Sequence, residues 1–142
     1  MPIIQRFDEQ KKIVFVIWDG GVTAEEWLRT APQLVTHPAW HTVPRLLADL
    51  RSVVETSTIH TKQIDEAIEI FVADPTALTG KKFAVIASDA FGKARYFGNS
   101  LSHFGVSTVV FNNMDTACLF LGIDVTYAYQ AIEQMRAQLE HE

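Results

Sequence analysis

The sequence KFAVIASDAFGKARYFGNSLSHFGVSTVVFNNMDTACLFL, residues Lys82 to Leu121, decides the fold class. It opens with an apolar run, Phe83–Ala87, and a segment with helical spacing of apolar residues follows up to Phe104. A second apolar run, Thr108–Phe111, precedes a short apolar helix that ends at Gly122. Strand, helix, strand and helix in this order are typical of a parallel sheet covered by helices. We therefore predict an α/β protein.

The residues before this stretch predict a hairpin and a further parallel strand. Ile3–Phe7 and Lys12–Trp18 are β-prone runs with a short polar connection, which predicts an antiparallel pair. The second run is apolar without alternation, as expected for a central strand covered on both faces. We expect Asp19–Gly21 to end it, and Arg45–Leu50 to form the next strand.

Two amphipathic helices are predicted in the first half of the chain. The first begins at Thr23 with a capping box, and Pro32 predicts a kink or an early end. Residues 37–41 are expected to form a loop. The second helix begins near Thr61 and ends before Pro75, because a residue preceding proline is pushed out of helical angles.

The helix after Ala87 carries more aromatic rings than one buried stripe can hold. The predicted buried stripe comprises Ala90, Ala94, Phe97, Leu101 and Phe104. Tyr96 and Phe91 are left over, and they line either a groove for an apolar ligand or a subunit interface. The plainer alternative is a filled core with scattered exposed rings.

A last helix over about residues 125–140, capped by Asp124, has one apolar face. That face packs either on the sheet of the same chain or on a second subunit. We predict a single domain over residues 1–142, with a core of residues 1–122 and this additional C-terminal helix.

Composition narrows the class of protein. With 142 residues, 48% hydrophobic and 20% charged, the chain has the size of one domain with its own core. The net charge of −5 argues against a nucleic-acid partner. No segment approaches the roughly 20 apolar residues of a transmembrane helix, and no signal-peptide pattern is present. The single cysteine, Cys118, allows no internal disulfide, so we expect the cytoplasm.

Polar residues near the ends of the predicted strands are the candidate ligand or partner surface. In open parallel sheets, ligands bind beyond the carboxyl ends of the strands, where helix N-termini present free amides. The candidates are Asp19, Arg51, Ser57, Thr58, Ser88, Asp89, Lys93 and Tyr96. Lys93 with backbone amides suits a phosphate or carboxylate, whereas Asp89 opposes an anion. The alternative is that Ser88, Asp89 and Asn113 are simple helix caps, each worth about 1 kcal/mol.

The sequence shows no pattern typical of an active site or a cofactor site. It has no nucleophile elbow and no paired-carboxylate motif, and Gly20–Gly21 lacks the spacing of a nucleotide fingerprint. Of the five histidines only His37 and His41 are close, and no third ligand accompanies them. Cys118 has apolar neighbours, which predicts a core thiol. We expect no catalytic residue, no metal and no cofactor, and hence no enzyme.

Four motifs resemble a known family. They are DG-x-VT-x-EEW over Asp19–Trp27, LLADLR over Leu46–Arg51, ARYFG over Ala94–Gly98, and VVFNNMDTACLFLG over Val109–Gly122. The sequence resembles the small bacterial proteins described as SpoIIAA-like, or STAS/CRAL–TRIO-like, whose function is uncharacterised. They are related in fold to anti-sigma-factor antagonists and to the cytosolic domain of sulphate transporters. The resemblance implies a STAS-like domain with an N-terminal hairpin and repeated β-α units in a mostly parallel, mixed sheet.

The resemblance leads to two hypotheses about function, since a fold alone does not determine one. The first is a non-catalytic regulatory or protein-interaction module that binds itself as a homodimer, or another protein. Antagonists carry an Asp-Ser pair whose serine is phosphorylated, and the pair would fall near Ser57–Thr58, where the aspartate is absent. The alternative, motivated by the surplus rings and the lipid-carrier relatives, is a protein that binds a small lipid-like or carboxylate ligand.

Overall fold

A five-stranded mixed sheet forms the centre of the protein. The computed structural model describes residues 3–140, without the side chains of Glu55 and Glu140, and its strands lie in the order β1-β2-β3-β4-β5. They are β1 (Ile3–Asp8), β2 (Ile13–Gly21), β3 (Arg45–Glu55), β4 (Lys82–Ile86) and β5 (Ser107–Phe111). The first pair is antiparallel, and β2 to β5 are parallel. The predicted α/β class, hairpin and mostly parallel sheet are confirmed.

Helices cover both faces of this sheet. They are α1 (Ala24–Val35), α2 (Thr61–Val72), α3 (Pro75–Leu78), α4 (Phe91–Leu101), α5 (Met114–Leu121) and α6 (Val125–Glu140). Helices α1, α2 and α4 pack on one face, called the α4 face, and α5 and α6 pack on the other, the α6 face. None of the helices within residues 3–140 combines the length and the apolar character needed to span a bilayer.

Successive side chains of β2 belong alternately to the cores of the two faces. Val14, Val16 and Trp18 belong to the core of the α4 face, whereas Ile13, Phe15 and Ile17 belong to that of the α6 face. Successive side chains of a strand point to opposite faces, so an unbroken apolar run requires cover on both sides. This is why the central strands show no polar alternation.

Helix α6 packs on the sheet of its own chain. Its buried residues are Ala128, Ala131, Ile132 and Met135, which join Phe15 and other β2 residues in the core of the α6 face. The apolar stripe of this helix is therefore satisfied within the chain.

Several local predictions differ from the structure. Strand β2 continues through Gly21, because register shifts after Ile17 and Gly20 keep it paired with β3. Helix α1 runs past Pro32 to Val35, since the burial of Ala31 and Leu34 outweighs the one missing amide donor. The predicted loop at 37–41 contains a 3₁₀ turn, Pro38–His41, that buries Trp40.

The buried stripe of α4 also differs at its end. Phe104 is 37% exposed rather than buried, because α4 ends at Leu101 and a 3₁₀ turn, Ser102–Phe104, follows. Gly98 is buried in the stripe together with Ala94. Tyr96 and Phe91 are exposed, as expected from the surplus of rings.

Candidate functional site

An apolar cavity lies between the α4 face of the sheet and helices α1, α2 and α4. Its volume is about 100 Å³. Its walls are mainly aliphatic and aromatic, and the aromatic side chains are those of Trp18, Trp27, Phe71, Phe83 and Phe97. An apolar cavity of about 150 Å³ in another protein stays dry and binds benzene. The cavity therefore has the size of a compact apolar group.

Edge-to-face ring contacts hold the aromatic wall in place. The ring centroids of Trp27 and Phe97 are 5.6 Å apart, and those of Phe97 and Phe71 are 5.2 Å apart. Phe71 in turn meets Phe83 of β4 at 6.2 Å. These tilted geometries are the ones that aromatic pairs prefer, so α1, α2, α4 and β4 each fix one ring of the wall.

Lys93 is the charged side chain in the cavity lining. It lies in the first turn of α4, and its Nζ donates to the carbonyl oxygen of Thr56 and, at 3.1 Å, to Thr56 Oγ1. Within the part of the chain that the structure describes, no carboxylate lies within 4.0 Å of Lys93 Nζ. The acceptors described for its ammonium group are thus neutral.

A shallow groove continues the cavity towards solvent. Its lining residues are Ile59, His60, Thr61, Ile64, Gly92, Lys93 and Tyr96, and it encloses about 290 Å³. Ile59, Ile64 and Lys93 also line the cavity, so the two spaces meet at Lys93. The hydroxyl of Tyr96 donates to Asp65 Oδ1 at 2.8 Å, and this bond raises the pKa of Tyr96. The carboxylate of Asp65, which does not line the groove, is thereby hydrogen-bonded to Tyr96.

A second polar cluster lies on the α6 face, around Asp49. This aspartate is fully buried and accepts from Arg51 Nε at 3.0 Å and Nη2 at 2.9 Å, and from Arg136 Nη2 at 2.8 Å. Burial alone would raise the pKa of Asp49, but the hydrogen bonds from the two arginines outweigh it and hold the pKa below its ordinary value. The carboxylate is therefore charged and fully paired.

Arg136 ties helix α6 to two strands through this cluster. Besides Asp49 it donates to Ser52 Oγ at 2.7 Å, and its Nη1 lies 4.0 Å from Asp19 Oδ1. Two guanidinium groups and two carboxylates balance one another, so the arrangement fastens α6 onto the sheet and leaves no surplus charge for a ligand.

The structure separates the eight candidate residues. Lys93 and Tyr96 lie together in the groove, while Asp19 and Arg51 belong to the Asp49 cluster on the opposite face. Thr58 Oγ1 accepts from the amide of Ala24 at 3.1 Å, at the start of α1. The other three, Ser57, Ser88 and Asp89, have exposed side chains in the loops that follow β3 and β4.

The helix-cap alternative holds for one of its three residues. Asn113 Oδ1 accepts from the amide of Thr116 at 2.9 Å, at the start of α5. Helix α4 instead begins after Ala90, and neither Ser88 nor Asp89 provides a side-chain cap. The carbonyl of Ser88 accepts the amide of Phe91 at 3.2 Å.

The sequence-based prediction missed three charged residues. Asp49 and Arg136 form the cluster on the α6 face, and Lys81 is 4% exposed beneath Trp40. The available signal was a charged residue inside or beside an apolar strand, as in the run LLADL around Asp49. Such a residue requires a partner when it is buried.

Cys118 lies on the α6 face, away from the cavity. It is 1% exposed, and burial raises the pKa of its thiol to about 11. The neutral thiol is a core residue, as its apolar neighbours predict. In residues 3–140, no group of three or more histidine, cysteine, aspartate or glutamate side chains is arranged to hold a metal ion.

Comparison with known proteins identifies the fold. No protein-family model and no curated protein matches this sequence. Among solved structures, the chain is similar to an uncharacterised protein of the DUF3478 family with a SpoIIAA-like fold from Shewanella loihica PV-4. The two share 13% sequence identity with a TM-score of 0.54, covering 84% of this chain and 91% of the other. The chain thus has the SpoIIAA-like fold that its motifs predict.

Proposed function

We propose that this SpoIIAA-like protein is a non-catalytic regulatory module that binds a small apolar molecule in the cavity beneath α4. The cavity itself is the observation that supports this role. Where no atom fills the cavity, its apolar walls lack dispersion contacts. A ligand of matching shape recovers those contacts and so stabilises the surrounding helices.

The cavity lining favours binding over catalysis. Acid–base catalysis needs a positioned proton donor and acceptor, and Lys93 is the titratable side chain of this lining. Cys118, a residue type that serves as a nucleophile elsewhere, lies on the other face as a neutral thiol. We place this role in the cytoplasm, where a single unpaired cysteine is ordinary.

Helix α4 connects the cavity with a surface that a partner protein could contact. It contributes Ala94 and Phe97 to the cavity wall, and its outer side carries the exposed rings of Phe91 and Tyr96. A ligand that shifts or stiffens α4 therefore alters the surface that another protein would contact.

A second candidate function is self-association through the edge strand β5. Val109 of β5 is 39% exposed and Leu119 of the neighbouring α5 is 82% exposed. Strand β5 has no charged residue, whereas the opposite edge, β1, carries Arg6 and Asp8. An uncharged edge lacks a usual protection against pairing with another strand. Light scattering tests this role: a monomer at high concentration, unchanged by Val109→Lys, contradicts it.

Benzene binding tests the main proposal. We expect saturating benzene to raise the melting temperature of the protein, and to shift NMR signals of residues around the cavity. Ala94→Leu fills the cavity and should abolish both effects, whereas Ala137→Leu, at an exposed position on α6, should preserve them. Absence of any effect of benzene on the unmodified protein contradicts the proposal.

A further inference from the structure

The position of Lys93 selects for an anionic ligand. Its Nζ lies where the apolar cavity meets the outer groove, and its acceptors are the carbonyl and hydroxyl oxygens of Thr56. Among the side chains that the structure describes, no carboxylate lies within 4.0 Å of Lys93 Nζ, and the carboxylate of Asp65 accepts from the hydroxyl of Tyr96. A half-buried ammonium group with neutral acceptors gains most from an ionised partner.

The hydrogen-bond donors at the point where the cavity meets the groove suit a carboxylate. Lys93 Nζ supplies one positive charge and Thr56 Oγ1, 3.1 Å away, supplies a hydroxyl. A carboxylate carries one charge and two oxygens, so one oxygen can accept from Lys93 and the other from Thr56. A phosphate group carries up to two charges and three acceptor oxygens, which a single ammonium group does not satisfy.

The volume of the cavity limits the size of the apolar part of the ligand. About 100 Å³ holds an aromatic ring or a short branched chain, and a long acyl chain exceeds this space. The walls include the aromatic rings of Trp27, Phe71 and Phe97, which favour a ring over a flexible chain.

We infer that the ligand is a compact carboxylic acid, aromatic or short and branched, whose carboxylate pairs with Lys93 while its apolar end fills the cavity. This inference rests on the proposed function and specifies its ligand. On binding, Lys93 Nζ keeps Thr56 Oγ1 within reach and exchanges the Thr56 carbonyl for a ligand oxygen. Lys93 is thus the residue that distinguishes an acid from its neutral analogue.

Calorimetric titration with three probes tests the inference: phenylacetate, its neutral analogue phenylacetamide, and benzene. We expect the unmodified protein to bind phenylacetate about tenfold or more tightly than phenylacetamide, because a hydrogen bond between two charged groups is stronger than one to a neutral amide. Lys93→Met, which removes the charge and shortens the side chain by one atom, should remove this preference. Arg95→Met, an exposed position on the same helix, should preserve the preference.

The outcomes separate this inference from the proposed function. Equal affinities for phenylacetate and phenylacetamide in the unmodified protein overturn the inference, and this comparison needs no variant. An equal loss of both affinities in Lys93→Met overturns it as well. If benzene still binds in these cases, the proposed function stands; if none of the three probes binds, both fall.

Discussion

Gly98 of α4 lies against Thr108 of β5 more closely than any residue with a side chain could. A Cβ atom at Gly98 would lie 2.5 Å from Thr108 Cγ2 and 2.8 Å from Thr108 Cβ. This contact sets the distance between α4 and the edge of the sheet. Because Ala94 and Phe97 on the same helix line the cavity, the approach of α4 to β5 also sets the shape of the cavity wall.

Gly98→Ala should therefore destabilise the protein. We expect the free energy of unfolding to fall by about 1–3 kcal/mol, the usual cost of overpacking, in urea denaturation. Gly92→Ala is the matched control on the same helix, since a Cβ there meets nothing within 4 Å. It should raise stability by about 0.5–1 kcal/mol, because alanine has the higher helix propensity. A stabilising effect of Gly98→Ala would contradict the close contact.

Thr108→Val should stabilise the protein. Thr108 Oγ1 is buried and has no hydrogen-bond partner among residues 3–140, so the hydroxyl is desolvated without compensation. Replacing it with a methyl group of similar shape should raise the free energy of unfolding by about 1 kcal/mol. Thr30→Val is the control, because Thr30 Oγ1 donates to the carbonyl of Trp27 at 3.2 Å. Thr30→Val should be neutral or destabilising, and the same gain in both variants would contradict this explanation.

Asp49→Asn should be strongly destabilising at neutral pH. It removes the buried partner of Arg51 and Arg136, and breaking such a pair costs about 3–5 kcal/mol. Asp89→Asn, at an exposed position, should change stability little. Both effects are measurable by urea denaturation monitored by circular dichroism.

The Asp49 effect should also depend on pH. Because the pKa of Asp49 is lowered in the folded protein, the unfolded chain takes up the proton first as pH falls. The stability that Asp49 contributes is present above its ordinary pKa of 3.8 and is lost as pH falls through the lowered value. The gap between the unmodified protein and Asp49→Asn should narrow below pH 3.8, and a constant gap would contradict the shift.

Lys81 should give a pH dependence of the same sign in the alkaline range. Its Nζ donates to the carbonyl oxygens of Trp40 and Val43, and burial lowers its pKa from 10.5 to about 8. The unfolded chain holds more protons than the folded one between these values, so the contribution of Lys81 to stability rises with pH across that window. The rise is at most about 3 kcal/mol.

The test compares the pH dependence of unfolding in the unmodified protein and Lys81→Met. Groups such as Cys118 titrate in both, so the difference between the two curves isolates Lys81. Lys82→Met is the control at the neighbouring exposed position and should leave the dependence unchanged. Parallel curves for Lys81→Met and the unmodified protein would contradict the lowered pKa.

The sequence by itself determined the order and type of the strands and of the longer helices. The spacing of apolar residues is a local property, so the strands around Phe15, Leu47, Ala84 and Val109 and the start of α2 could be predicted from it. The motifs and this order together were also sufficient for the SpoIIAA-like fold. Local propensity did not decide the ends of elements such as α1, where burial of Leu34 carries the helix past Pro32.

Only the tertiary structure decided which candidate residues meet. Asp19 lies near the carboxyl end of β2 and Lys93 follows that of β4. They lie on opposite faces, because α1, α2 and α4 pack on one side of the sheet and α5 and α6 on the other. Arg136 reaches Asp49 across 87 positions of sequence, a pairing that no local pattern encodes. The cavity beside Lys93 is likewise a property of how closely helices approach a sheet, which depends on contacts such as Gly98 with Thr108 between distant segments.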